Sequence, residues 1–178
     1  MSENKILKET EKEFKKFADK VIKRARYILA KRKNSKGYTT NTKQKTLSDS
    51  LDYNLKLYSS GALELGFTAA EHFNYVEYGR ESGKQPPSNK IANWIKIKPL
   101  RLRDLKTGKF IEKNKKNINS AAFLIARSIG TYGIKPTYFF RDAFKMHYKR
   151  IDKTIIKAYA KDMEKFLKTT LKDNIKTE

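Results

Sequence analysis

The stretch Leu51-Asp52-Tyr53-Asn54-Leu55-Lys56-Leu57, broken by Ser59-Ser60-Gly61 and resumed as Leu63-Glu64-Leu65-Gly66-Phe67, decides the fold. Leu51, Tyr53, Leu55 and Leu57 alternate with polar residues, and Leu63, Leu65 and Phe67 alternate again. Successive side chains of a strand point to opposite faces, so a period of two predicts a β-hairpin with one buried face. On both sides of it the period changes to that of helices. Upstream, Leu7, Phe14, Phe17, Val21, Ala25 and Ile28 recur at steps of three and four, which predicts a helix over 5–33. Lys31, Arg32 and Lys33 fall in its last turn, where cations suit the helix dipole. Residues 34–46 are polar, lack apolar anchors and are expected to form a mobile loop.

Downstream, residues 69–78 change to helical spacing and Gly79 is placed to end the element. Ser88 is a candidate N-cap for a short helix with Ile91, Trp94 and Ile95 on one face, stopped by Pro99. Leu100, Leu102 and Phe110 flank Lys106-Thr107-Gly108-Lys109, which predicts a second, basic hairpin. Ile118, Ala121, Ala122, Ile125 and Ile129 predict a helix over 118–129, capped by Gly130 or Gly133. Thr137 is a candidate cap for the last helix. There Phe140, Phe144, Tyr148, Ile151, Ile155, Tyr159, Met163 and Phe166 keep helical spacing. Such a helix spans roughly 40 Å, so its far half is expected to project or to lie on a neighbouring subunit. The fold class is therefore α+β: a small antiparallel sheet packed by helices, with a long N-terminal helix and a long C-terminal helix. The expected divisions are 1–46 (helix and loop), 47–148 (α+β core) and 149–178 (helical extension). Residues 1–4, 34–46 and 170–178 are expected to order on assembly.

The 178 residues include 41 Lys or Arg against 19 Asp or Glu, a net charge of +22, and no cysteine. That excludes disulfide and thiolate chemistry and suits a reducing cytoplasm. No apolar run reaches the length of a membrane span, and the first residues lack the apolar segment of a secretory signal. The charge is uneven: residues 1–50 carry 15 basic and 6 acidic side chains, 51–100 carry 6 and 5, and 101–178 carry 20 and 8. A nearly neutral aromatic centre thus lies between basic flanks, which favours an anionic partner. Lysine supplies 32 of the 41 cations, and lysine is a point charge poorly suited to reading bases. If nucleic acid is the partner, backbone contact is the expected mode. A lysine-rich solvated surface gives the same composition.

The centre carries Tyr75-Val76-Glu77-Tyr78-Gly79-Arg80, then Pro86-Pro87, Ile91 and Trp94, and later Gly133-Ile134-Lys135-Pro136-Thr137-Tyr138-Phe139-Phe140. These are aromatics, glycines and prolines without catalytic residue types, the chemistry of a shaped surface. Tyr75, Tyr78 and Trp94 suit interface anchors as well as a core. Glu77 suits pairing with an arginine of a next subunit, or pairing within the chain. Pro136, Phe139 and Phe140 suit pinning the last helix onto the sheet. His72 and His147 are far apart, no metal-ligand spacing occurs, Lys106-Thr107-Gly108-Lys109 lacks the spacing of a phosphate loop, and the carboxylates are scattered. No catalytic residue, metal or cofactor is expected.

The order of these elements over roughly residues 43–148 resembles the tail-completion or neck proteins of tailed bacteriophages, the lambdoid head–tail connector type. Glu77-Tyr78-Gly79 is similar to their Glu-Tyr-Gly element, and Pro86, Ile91 and Trp94 to their Pro-then-Trp helix. Ala121-Ala122-Phe123-Leu124-Ile125-Ala126, Gly133-Ile134-Lys135-Pro136 and Phe139 resemble their second half. Thr46-Leu47-Ser48-Asp49-Ser50-Leu51 has the Leu and Ser of their first segment without its glycine. The basic segment 100–117 and the long last helix depart from the family pattern. The resemblance implies a structural virion protein, made in the host cytoplasm and joined as a homo-oligomeric ring between the capsid portal and the tail. Its partners would be further copies of itself, the portal or an adaptor ring, other neck and tail proteins and DNA in the channel. The partner surface would draw on Tyr75, Glu77, Tyr78, Gly79, Pro86, Pro87, Trp94, Phe139, Phe140, Tyr159 and Phe166. Acidic partners or DNA would meet Lys31, Arg32, Lys33, Arg101, Arg103, Lys106, Lys109, Lys113, Lys115 and Lys116. A second reading, from the charge and the interleaved Tyr and Lys alone, is a sequence-independent nucleic-acid-binding protein.

Overall fold

The computed structural model describes residues 7–31, 47–59, 61–97 and 100–175. Arg32, Lys33, the loop 34–46 and Pro99 lie outside the described residues. The elements run α1 (Lys8–Lys31), α2 (Leu47–Ser50), β1 (Asp52–Leu57), β2 (Leu63–Thr68), α3 (Phe73–Glu77), α4 (Ser88–Ile97), β3 (Leu102–Arg103), β4 (Phe110–Ile111), α5 (Lys115–Tyr132) and α6 (Phe139–Ile175). The fold is α+β, with two separate two-stranded antiparallel sheets, β1–β2 and β3–β4. Among the described residues no helix is long and apolar enough to cross a membrane.

The chain divides into two compact units, each discontinuous in sequence. One holds most of α1, the β1–β2 hairpin and α6. In it Tyr53 pairs with Phe67, Leu55 with Leu65 and Leu57 with Leu63, which puts all six apolar side chains on one face, as the alternation predicts. Gly66 lies opposite Asn54, where a Cβ would overlap the Asn54 side-chain oxygen. Phe67 meets Phe140 edge-on at 5.1 Å, and Phe144 meets Phe17 of α1 edge-on at 5.5 Å. Rings in this geometry add about 0.5–1.5 kcal/mol each to the burial itself. Phe140 thus fixes the first turn of α6 against the sheet.

Phe17, Ala18, Val21, Ile22, Ala25 and Leu29 form the buried stripe of α1. The start of that helix is completed from elsewhere in the chain. Asp162 of α6 accepts from the backbone N–H of Glu9 (3.1 Å), the N–H of Thr10 (2.8 Å) and the Thr10 hydroxyl (2.8 Å). Glu9 and Thr10 are the second and third residues of the helix, whose N–H groups have no intrahelical acceptor. Asp162 therefore does the work of an N-cap from a distance of more than 150 residues, and its charge suits the positive end of the helix. Lys165 adds an ion pair to Glu9 at 3.2 Å. Two expectations change here. The last helix has 37 residues, about 55 Å of helix, and continues through 170–175 in the single chain. Its far half also returns to the start of α1 instead of projecting freely at that point.

The other unit holds α3, α4, the β3–β4 hairpin and α5. Ala92 and Ile95 of α4, Leu102 of β3, and Ile118 and Ala122 of α5 form its buried cluster, flanked by Ile91, Leu100, Ile111, Ala121 and Ile125. Ile95 is inside, whereas Trp94, expected on the same face, is exposed. Helix α5 begins three residues before its apolar pattern because the Asn114 side chain caps it, accepting from the N–H of Asn117. Gly133 ends it with φ of 68°, and Gly130 lies inside it. Ser88 is the first residue of α4 and not its cap; the Pro87 carbonyl accepts from Lys90 and Ile91 there.

Burial opposes ionisation of Asp162, but the Thr10 and Glu9 hydrogen bonds, helped by Lys165, outweigh it and hold the carboxyl below its ordinary range. A carboxylate depressed in the folded state stabilises it above the unfolded value near 3.8, and the gain is lost as pH falls through the folded pKa. Half-buried His147, disfavoured as a cation by burial and by Lys20, Arg24 and Arg150, titrates below 6.5. Its protonation destabilises the fold as pH falls below that value. Urea melts at neutral pH are expected to show Asp162→Ala less stable by about 1–3 kcal/mol. Between pH 4 and 2 the variant should lose less further stability than the parent, and His147→Gln should remove the earlier loss between pH 7 and 5.

Candidate assembly surface

The two aromatic stretches that stand out in sequence meet through their backbones. The Arg80 N–H donates to the Ile134 carbonyl (2.8 Å) and the Ile134 N–H to the Arg80 carbonyl (2.7 Å), a single antiparallel bridge. The Thr137 N–H donates to the carbonyls of Val76 (3.1 Å) and Glu77 (3.2 Å), and the Tyr138 N–H to that of Glu77 (3.0 Å). The Thr137 hydroxyl donates to the Val76 carbonyl at 2.5 Å. Thr137 is therefore not the cap of α6. It clamps the end of α3 instead.

Both glycines of this clasp are required. Gly79 has φ of 76°, and a Cβ there would overlap the Ile134 carbonyl oxygen and lie 2.7 Å from the Pro136 nitrogen. Gly133 has φ of 68°, and a Cβ there would overlap the Arg80 carbonyl oxygen. Left-handed φ disfavours any side chain, and backbone neighbours cannot move aside as a flexible side chain can. Tyr138, a non-glycine at φ of 50°, carries the chain from the clasp into α6. The loop after Arg80 is tied at two points. The Arg80 guanidinium donates to the Lys84 carbonyl, and the Gly83 N–H donates to the Gly130 carbonyl at 2.7 Å.

The clasp sorts the expected surface residues. Glu77 is 1% exposed and Phe139 fully buried, so both serve the interior of the chain and not a partner surface. Phe140 is half-buried and occupied with Phe67 and Phe144. Gly79 is a backbone residue of the clasp. Tyr75 and Tyr78, three residues apart and so on one side of the helical turn, are 55% and 62% exposed. Pro86 is half-buried, and Pro87 and Trp94 are exposed. Tyr159 and Phe166 are exposed on α6, away in sequence from the clasp. Tyr132, at 81%, joins the exposed aromatics and was not singled out in sequence. Helical spacing puts it on the face of Ile118, Ala122 and Ile125, so no local pattern marks it as exposed.

Of the basic positions, Lys31 ends α1. Arg101, Arg103, Lys106, Lys109, Lys113, Lys115 and Lys116 are all exposed on or beside the β3–β4 hairpin. Lys113 turns back to donate to the Ile95 carbonyl at 3.2 Å. Among the described residues, no group of three His, Cys, Asp or Glu side chains is arranged to hold a metal ion. No protein-family model, curated protein or solved structure matches this chain.

Gly79→Ala is expected to cost about 2–4 kcal/mol in denaturant melts, combining the φ penalty with overpacking. Gly108→Ala, at φ of 68° with open space around it, isolates the φ penalty and should cost about 1–2 kcal/mol. Equal losses at the two positions would contradict the close approach at Gly79.

Proposed function

We propose that this chain is a structural virion protein: a subunit that closes into a ring at the head–tail junction of a tailed phage, as a neck or tail-completion piece. The station comes from the resemblance of its motifs. The observation that carries the assembly reading is the division of labour within Tyr75–Arg80. Glu77 and Gly79 are spent on the interior and the clasp, while Tyr75 and Tyr78 stand out in water on a backbone held by several hydrogen bonds.

An exposed tyrosine on a rigid backbone loses little conformational freedom when a partner covers it, and interfaces draw much of their energy from such residues. Each aromatic side chain offers on the order of 150–250 Å² in total, whereas one side of a standard interface buries about 800 Å². Tyr75 and Tyr78 would anchor a larger patch and could not make one alone. A ring uses two different patches on each subunit, one for each neighbour. Exposed Tyr159 and Phe166 on α6 are available for the second. The reaction is mechanical: the subunit supplies shape, and the ring supplies a channel between portal and tail.

Mass photometry of the purified chain, alone and with a portal complex, tests this reading. The expected result is a discrete ring-sized species with the portal and its loss in the Tyr75→Ser, Tyr78→Ser double variant. That variant's own stability should change by less than about 1 kcal/mol, since both side chains are exposed. A chain that stays at single-subunit mass and ignores the portal at every concentration would overturn it.

A further inference from the structure

We propose that the β3–β4 hairpin is a grip for the phosphate backbone of duplex DNA. The inference does not depend on ring formation, because it concerns a surface complete within one chain.

The hairpin is firmly rooted. Leu102 is buried and Ile111 packs on the same cluster as Ala92, Ile95, Ile118 and Ala122. Leu102 pairs with Ile111, and Arg103 pairs with Phe110. Strand alternation then puts Arg103 and Phe110 on the face opposite the core, with Arg101 two residues before Arg103. The tip is a built turn. The Asp104 N–H donates to the Lys109 carbonyl, and the Gly108 N–H donates to the Asp104 carbonyl, both at 2.9 Å. The Asp104 carboxylate accepts from the N–H groups of Lys106 (3.0 Å) and Thr107 (2.7 Å) and from the Thr107 hydroxyl (2.9 Å). The carboxylate at the tip is thus engaged within the turn.

The cations are arranged. The guanidinium carbons of Arg103 and Arg101 lie 4.4 and 5.3 Å from the centre of the Phe110 ring, which is itself 55% exposed. Cation–π contact of this kind holds a guanidinium by its face and leaves the N–H edges free, the edges that bind phosphate in pairs. Among the described residues no carboxylate forms an ion pair with Arg101, Arg103, Lys106, Lys109, Lys115 or Lys116. Residues 101–116 carry seven cations against Asp104 and Glu112. With Lys113 engaged by the Ile95 carbonyl, six remain.

Composition decides between an anionic protein and nucleic acid. Lysine is depleted at protein–protein interfaces, whereas Lys and Arg are the residues that neutralise nucleic-acid phosphates. A segment with four outward lysines beside two arginines has the second character. Four of its six outward cations are lysines, which meet phosphates as point charges and pair with bases less well than arginine, so the grip is sequence-independent.

The test is fluorescence anisotropy of a 20-base-pair duplex of mixed sequence, titrated with the full chain across a series of KCl concentrations. A protein of net charge +22 binds DNA at low salt through any surface, so the comparison is between two charge-matched variants. One is Arg101→Gln, Arg103→Gln, Lys106→Gln, Lys109→Gln. The other is Lys153→Gln, Lys157→Gln, Lys161→Gln, Lys172→Gln on α6. Each phosphate contact contributes about 0.9 to the slope of log affinity against log salt. The hairpin variant should therefore flatten the slope by about 3, the α6 variant by less than 1, both with parental circular dichroism. If the fourfold hairpin variant fails to fold, Arg103→Gln, Lys109→Gln should flatten the slope by about half as much. Equal flattening by the two sets would overturn the proposal, as would an unchanged slope in the hairpin variant.

Discussion

The structure around the aromatic centre depends on one constraint: two backbone segments more than fifty residues apart approach too closely for a side chain between them. Arg80 and Ile134 exchange both of their hydrogen bonds, and Thr137 and Tyr138 close on the end of α3. Buried N–H and C=O groups must find partners, and here each segment supplies the other's. The price of the approach is glycine at 79 and 133, and a tyrosine at 138 held in a left-handed conformation. What returns is a short helical turn whose direction is fixed, so that Tyr75 and Tyr78 face water from a stiff base. A surface of that kind is preorganised for the partner proposed above.

The second unit of the chain solves a different problem by the same economy. Asp162 reaches the first turn of helix α1 from α6. The two long helices are joined at that point by a charge and at Phe17–Phe144 by two rings. Between them, the β1–β2 hairpin presents one apolar face, with Phe67 set against Phe140. Most of the apolar matter of this unit is thus aromatic or aliphatic side chains at positions that local periodicity dictates, and its polar joint is set by tertiary structure.

That difference explains how much could be read from the residues alone. The β1–β2 hairpin, the basic hairpin, α1, α5 and α6 are legible because period two and period 3.6 are local properties. The role of Phe140 is legible because it follows Pro136 at the head of an apolar stripe. Neither Ser88 nor Thr137 caps the helix it precedes in the sequence pattern. A hydroxyl at the right spacing is a cap only if no stronger partner takes it, and Val76 takes Thr137. No local pattern reveals the role of Asp162, whose partners lie more than 150 residues away, although a carboxylate on the same helical face as Ile151 and Ala158 is a visible anomaly. At the candidate surface, the stretch Tyr75–Arg80 was legible as special, but its division was not. Whether Glu77 or Tyr78 faces inward depends on the segment 134–138, which no local pattern connects to it. Trp94, expected on the face of Ile95, lies outside it.

The claim on which the account stands is that the clasp is already formed in the free chain and so presents its tyrosines preorganised. Amide hydrogen exchange on the isolated protein tests it most directly. The account predicts that the N–H groups of Arg80, Ile134, Thr137 and Tyr138 exchange as slowly as those of the buried turns of α5, by global opening only. Exchange of those four amides as fast as that of Gly61 in the β1–β2 turn, with α5 still protected, would contradict it.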